Sequence, residues 1–167
     1  MKKLFSLVVV SFFAVSVYAS DVNVSVSAKA YNTKDFNETA GLSVKAVFPK
    51  TFAENVEASV ALELVEVESE LTGKESDFVI VPVELGYVYK IDEVFSVKSL
   101  VGVDLISGDD VDTTVGSHVG AELSVNTPIQ GLSGVVGLGY QFANVDVNDV
   151  KHDFSGYTGS AGLNYKW

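Results

Sequence analysis

Polar and apolar residues alternate along most of this chain. Val22, Val24, Val26, Ala28 and Ala30 interleave with Asn23, Ser25, Ser27, Lys29 and Tyr31. Leu42, Val44, Ala46 and Phe48 interleave with Gly41, Ser43, Lys45 and Val47, and Ala58, Val60, Leu62 and Leu64 with Glu57, Ser59, Ala61 and Glu63. The pattern returns in Val81, Val83, Leu85, Tyr87 and Tyr89 against Pro82, Glu84, Gly86, Val88 and Lys90. It continues in Phe95, Val97, Val101, Val103 and Leu105 against Ser96, Lys98, Gly102 and Asp104, and in Val115, Val119, Ala121, Leu123 and Val125 against Gly116, His118, Gly120, Glu122 and Ser124. Val136, Leu138, Tyr140 and Phe142 oppose Gly137, Gly139 and Gln141 less cleanly, with Val135 and Ala143 on the polar side; Tyr157, Ala161, Leu163, Tyr165 and Trp167 then oppose Thr158, Ser160, Asn164 and Lys166. A period of two marks a strand with unlike faces. The chain therefore predicts eight strands of roughly 10–13 residues, where a tilted membrane-crossing strand needs roughly 9–11.

Turn residues punctuate the pattern at Pro49-Lys50, Thr72-Gly73, Ile91-Asp92-Glu93, Ser107-Gly108-Asp109-Asp110, Asn126-Thr127-Pro128 and Asn148-Asp149. Short connections make successive strands antiparallel neighbours in an up-and-down meander. Such a meander can close with its apolar face inward, as a soluble barrel, or outward, as a membrane barrel. Two features favour the second. The minority face is rich in Gly, Ser and Thr with charges of both signs, as a narrow lumen requires. Aromatic residues gather near strand ends, as girdles do at lipid interfaces. The predicted fold is all-β: an eight-stranded antiparallel transmembrane barrel, closed by its first and last strands because an open edge cannot sit in hydrocarbon.

The first residues follow another rule. Lys2 and Lys3 precede an apolar run from Leu4 to Tyr18, too short for a spanning helix, and Val17-Tyr18-Ala19 offers a cleavage site. We expect a cleaved signal peptide over 1–19 and a barrel domain over 20–167. The chain has no Cys, so no disulfide holds the exported product. Its formal net charge of −11 argues against a nucleic-acid partner, which needs a basic footprint.

Taken together, these residues resemble the small eight-stranded outer-membrane barrels of Gram-negative bacteria, the OmpA/OmpX-like and opacity-type porin-family group. "VPVELGYVYKIDEVFSVKSLVGVDL" is similar to that family's fourth strand, tight periplasmic turn and fifth strand; "GVVGLGYQF" to its penultimate strand; and "GYTGSAGLNYKW" to its carboxy-terminal assembly signal. The resemblance implies a bacterial outer-membrane location, with both ends of the mature chain in the periplasm. Connections near 32–38, 66–77, 107–112 and 146–153 would face outward, and those near 49–55, 91–93 and 126–133 the periplasm. It places Phe48, Phe52, Phe95, Tyr165 and Trp167 in a periplasmic girdle and Tyr31, Phe78, Phe154 and Tyr157 in an outer one. Tyr157, Leu163, Tyr165 and Trp167 would carry the assembly signal, read by the barrel assembly machinery. Outer-membrane lipid and lipopolysaccharide would be the surrounding partners, and a monomer is expected.

The polar face supplies the candidate chemistry. Lys29, Lys45, Glu63, Glu84, Lys98, Asp104, His118 and Glu122, with Glu57 and Lys166, point to the lumen. Buried charges need partners, so a plug of ion pairs is expected; a narrow ion path is the alternative. A third reading is a lipid A-modifying enzyme, because His118, Glu122 and Ser124 share a face. However, Gly120 follows His118 by two and Phe154 follows His152 by two, so neither histidine has a nucleophile beside it, and Ser117 points the other way. We therefore expect no catalytic residues and no cofactor. The outward connections are acidic, and Asp109, Asp110 and Asp112 in "SGDDVD" are weak candidates for a divalent cation, without EF-hand spacing. The expected role is structural or adhesin-like surface interaction, with a low-conductance porin-like channel as the alternative.

Overall fold

The structure, a computed structural model, describes residues 22–73, 75–108, 111–147 and 150–166. The leader expected over 1–19, together with Trp167, Asp109 and Asp110, lies outside the described residues. The chain forms β1 (Asn23–Thr33), β2 (Thr39–Phe48), β3 (Val56–Glu68), β4 (Glu75–Lys90), β5 (Phe95–Gly108), β6 (Val111–Asn126), β7 (Leu132–Phe142), a short hairpin β8 (Asn144–Val147) and β9 (Val150–Asp153), and β10 (Gly156–Lys166). Every pairing is antiparallel, and the order β5-β4-β3-β2-β1-β10-β7-β6 is joined into a ring by β5–β6. The seam between first and last strands is continuous from Asn23↔Lys166 to Thr33↔Gly156. The β8–β9 hairpin follows β7, pairs through Val147 with Val111 at the start of β6, and contributes Val145 and Val147 to the apolar cluster at one mouth.

Strand parity assigns the two faces. Val26, Leu42, Val83, Leu85, Val101, Val103, Val115, Leu138 and Leu163 point outward and are exposed, from 45% for Val26 to 74% for Leu138; Val24, Val44 and Ala46, of the same parity, are buried. Ser43, Lys45, Ser59, Glu63, Glu84, Asp104, His118, Glu122 and Gln141 point inward and are buried. Water cannot be the solvent of such a belt. Burying a side chain of this kind stabilises by about 1.5–3 kcal/mol, and soluble surfaces rarely leave apolar patches above a few hundred Å². No helix among the described residues is long and apolar enough to span a membrane; the strands are the membrane-crossing elements.

The expected outward connections are shorter than the sequence suggested. β3 and β4 run through half of 66–77, β5 and β6 leave only 109–110 between them, and 146–153 is largely the β8–β9 hairpin. The reason is a reversal of the pattern at this end of the barrel. Val65, Val67, Phe78, Ile80 and Ile106 point inward and are buried, while Glu66, Glu68 and Glu75 on the opposite parity are exposed. The expected outer aromatic girdle is corrected for the same reason. Tyr31, Phe78 and Phe154 are 1%, 1% and 0% exposed and pack inside the mouth, and of the four residues only Tyr157 faces outward, at 71%. Above the lipid, apolar rings leave water by turning inward. At the opposite end Phe48, Phe52, Phe95 and Tyr165 are exposed.

Closure supplies a direct test. Ala28 and Ala161 are opposite each other across the β1–β10 seam. The double variant Ala28→Cys/Ala161→Cys should cross-link under mild oxidation in the assembled barrel, since directly opposed Cα atoms lie within disulfide reach. Ala28→Cys paired with Asn164→Cys should not.

Candidate functional site: the filled lumen

The lumen is built in layers, each placed by cross-strand register. At the mouth flanked by the 91–93 and 126–131 connections lies an open vestibule of about 650 Å³. Its inner wall is an ion-pair layer. Lys98 Nζ lies 2.5 Å from Glu122 Oε2 and 3.7 Å from Glu57 Oε2, while Lys45 Nζ donates to Glu122 Oε1 at 2.7 Å and to Glu84 Oε2 at 3.0 Å. Lys45 thus ties β2 to β4 and β6 across the barrel, which adjacent-strand ladders cannot do.

The next layer is centred on His118. Its Nδ1 lies 2.8 Å from Asp104 Oδ1 and its Nε2 3.2 Å from Glu84 Oε1, the second a charge contact whose angle is too poor for a hydrogen bond. Ser59 Oγ donates to Glu84 Oε2 at 2.7 Å. The ring fits because its cross-strand partner is glycine: a Cβ on Gly102 would stand 2.5 Å from His118 Cε1 and 2.8 Å from the Val83 carbonyl oxygen. Gly86 makes similar room for the stem of Lys98. A void of about 40 Å³ separates this layer from the next, space for roughly three or four waters at 10–15 Å³ each.

The third layer joins the polar and apolar regions. Lys29 Nζ donates to both Glu63 oxygens at 2.9 and 3.0 Å, Ser43 Oγ donates to Oε1 at 3.3 Å, and the Tyr31 hydroxyl donates to Oε2. The ring of Tyr31 stacks on Phe154 at 5.8 Å. From there the lumen is apolar. Phe36 from the 34–38 connection, Phe78 and Phe154 pack edge to face at 5.2–5.6 Å among Val65, Val67, Ile80, Ile106, Val145 and Val147. A Phe36–Ser69 bridge fastens that connection over the mouth.

Of the ten lumen residues named from the sequence, Lys166 lines the vestibule and Glu57 lies beside Lys98; the other eight are each in contact with another of the set, in two groups. Lys29–Glu63 stands apart, and Lys45, Glu84, Lys98, Asp104, His118 and Glu122 form one network. Ser124 lines the vestibule while His118 lines the inner void, and Ser117 is exposed on the outer face. Both imidazole nitrogens face carboxylates, so His118 presents neither to a hydroxyl. Asp112 is exposed, and among the described residues no three or more His, Cys, Asp or Glu converge as a metal site. The apolar cap was missed by the sequence reading. Its signal was present, since Val65, Val67, Phe78 and Ile80 extend the parity of the polar face beyond Glu63 and before Pro82.

No protein-family model matches the chain, and no curated protein sequence matches it. Solved structures do. Neisserial surface protein A is similar with a TM-score of 0.72 at 12% identity, over 89% of this chain and 98% of that one. The outer membrane protein OprG from Pseudomonas aeruginosa gives 0.63 at 13%, over 89% and 96%. Ail, the attachment invasion locus protein of Yersinia pestis, solved with the heparin analogue sucrose octasulfate, gives 0.52 at 19%, over 87% and 97%. The chain has the fold of the small outer-membrane β-barrels.

Two variants test the layers. Glu122→Gln leaves Lys45 and Lys98 sharing a buried neutral amide, and should lower stability to urea in detergent micelles by about 3–5 kcal/mol, as loss of one partner of a buried pair does. Gly102→Ala should cost about 1–3 kcal/mol, because the added methyl meets backbone as well as the ring. Glu66→Gln on the exposed acidic rim should change the same stability by less than about 0.5 kcal/mol.

Proposed function

We propose that this protein is a bacterial outer-membrane barrel with a closed lumen, serving membrane integrity and surface contact through its outward end. The observation that carries this reading is continuous occlusion. From Lys98 to Phe36 the bore is crossed by ion-pair layers and then by packed aromatic rings. Eight strands leave an interior that side chains just fill, and opposite charges bonded to one another offer a passing ion little unpaired charge. In this reading Tyr157, Leu163, Tyr165 and Trp167 carry the assembly signal.

The chemistry of contact follows from the rim. Glu66 faces Asp77 and Glu68 faces Glu75 across β3–β4, and like charges directly opposed favour a cationic neighbour. Ail is described with a heparin analogue; an acidic rim repels such a polyanion, so the partner suited here presents basic groups, or meets lipopolysaccharide phosphates through divalent cations.

A second reading, the narrow channel, is favoured by the vestibule, whose open space reaches as far as Lys45 and Glu122. Planar-bilayer recording separates the two. The closed-lumen reading predicts no reproducible discrete conductance from purified wild-type protein, and regular steps that vanish in a Glu122→Lys variant would replace it with the channel.

A further inference from the structure

Val47, Val88 and Val135 break the polar alternation of the inward face, and all of them do so in one place. They share the parity of Lys45, Lys90 and Gly137, where the pattern calls for a polar or small residue. Each lines the vestibule of about 650 Å³, where it sets an apolar patch in a wall that otherwise carries hydroxyls, amides and charges.

The polar groups of this wall divide by depth. At the rim, Asn126 donates to the Glu93 carbonyl oxygen at 2.8 Å and accepts from the Ser133 hydroxyl at 3.0 Å, so both side chains are committed to holding the turns. Deeper in, the groups are open. The side-chain oxygen of Asn164 is buried and has no hydrogen-bond partner among the described residues. The Glu57 carboxylate meets Lys98 at 3.7 Å, a charge contact beyond hydrogen-bond reach. Ser96 and Ser124 stand opposite each other across β5–β6 and bring their hydroxyls to the same cavity. A buried acceptor without a donor costs stability, and a ligand bearing hydroxyls would supply the donors.

The floor of the vestibule decides the charge of what can enter. Lys45 and Lys98 both bond to Glu122, and Glu57 stands beside Lys98. An ammonium drawn to Glu57 would come up against the two lysines, and a carboxylate drawn to the lysines would come up against Glu57 and Glu122. A ligand charge of either sign meets its own kind, and displacing one member of the layer leaves a buried charge unpaired. A neutral ligand rich in hydroxyls meets no such opposition, because a hydroxyl donates to carboxylate and amide oxygens and accepts from serine and lysine. A pyranose ring also carries apolar C–H surfaces, which the valines match. The mouths of β-barrels are frequent sites for ligands, in cavities of about 300–1,000 Å³. We propose that the vestibule binds a small neutral carbohydrate, its hydroxyls donating to Glu57 and Asn164 and its C–H surfaces meeting the valines of the wall. Because the site ends at the ion-pair floor, this binding is separate from surface contact at the acidic rim and does not depend on whether the bore conducts.

Amide correlation spectra of the isotope-labelled barrel in lipid nanodiscs, free of sugar-headed detergent, test the site. The neutral probes are glucose and maltose; the charged probes on the same ring are glucosamine and glucuronate. At least one neutral probe should give saturable shifts at Glu57, Ser96, Ser124, Val135 and Asn164 with a Kd at or below about 10 mM, and leave Glu66 and Asp77 at the far end unmoved. Both charged probes should bind at least about tenfold more weakly than glucose. Glu57→Gln, which removes the acceptor's charge, and Val135→Trp, which fills the cavity, should each weaken the neutral probe at least about tenfold. Both variants leave Lys45, Lys98 and Glu122 in place, and unmoved amides in β3 and β4 beyond Glu63 and Ile80 show that each has folded. Shifts that fail to saturate with both neutral probes, equal binding of a charged probe, or wild-type affinity in both variants overturns the proposal.

Discussion

The constraint on which everything else depends is closure. A strand in hydrocarbon has no water to satisfy its backbone, so each N–H and C=O must find another strand. The β1–β10 seam meets that demand for the two strands that would otherwise be edges. Once the ring is closed with eight strands, its bore is too narrow to hold bulk water and too wide to be left empty. Parity then leaves one set of side chains for lipid and the other for the bore, and the bore must be filled with groups that satisfy one another.

Two chemistries fill it, and the boundary between them is informative. Through the middle, lysines and carboxylates reach across the barrel in bonded layers, with glycine placed where a ring or a lysine stem needs room. Toward the end of Val65, Phe78 and Phe154 the bore becomes apolar and the outer surface acidic. Below the change the barrel is an inside-out protein in lipid. Above it, the same strands continue as an ordinary protein in water, with a small core of their own. Glu63 is the joint, held by Lys29 on the polar side and by the Tyr31 hydroxyl on the apolar side.

The architecture was legible because parity survives closure. A residue's face in a strand is set by counting from its neighbours, so the inward set could be named before any pairing was known. Which charge meets which could not, because Lys45 reaches Glu122 across the bore and such contacts depend on the diameter and stagger of the ring. Tyr31 and Phe78 show the opposite failure. Their parity is inward, yet nearness to a strand end suggested a lipid girdle. The girdle rule holds only where the strand ends at the membrane surface, and here β3 and β4 continue past it to Glu68 and Glu75. The β8–β9 hairpin was read as a connection because four-residue strands carry too little alternation to recognise.

The central claim is that one set of strands passes from lipid to water at a definable level, and β4 reports it best. Spin labels placed singly at Tyr87, Val83, Val79, Asp77 and Glu75, all of outward parity, can be exposed in liposomes to oxygen, which partitions into lipid, and to a water-soluble nickel complex. The account predicts that oxygen dominates relaxation at Val83 and Val79 and that the nickel complex takes over at Asp77 and Glu75. Dominance of the nickel complex at Val83 and Val79 would contradict it.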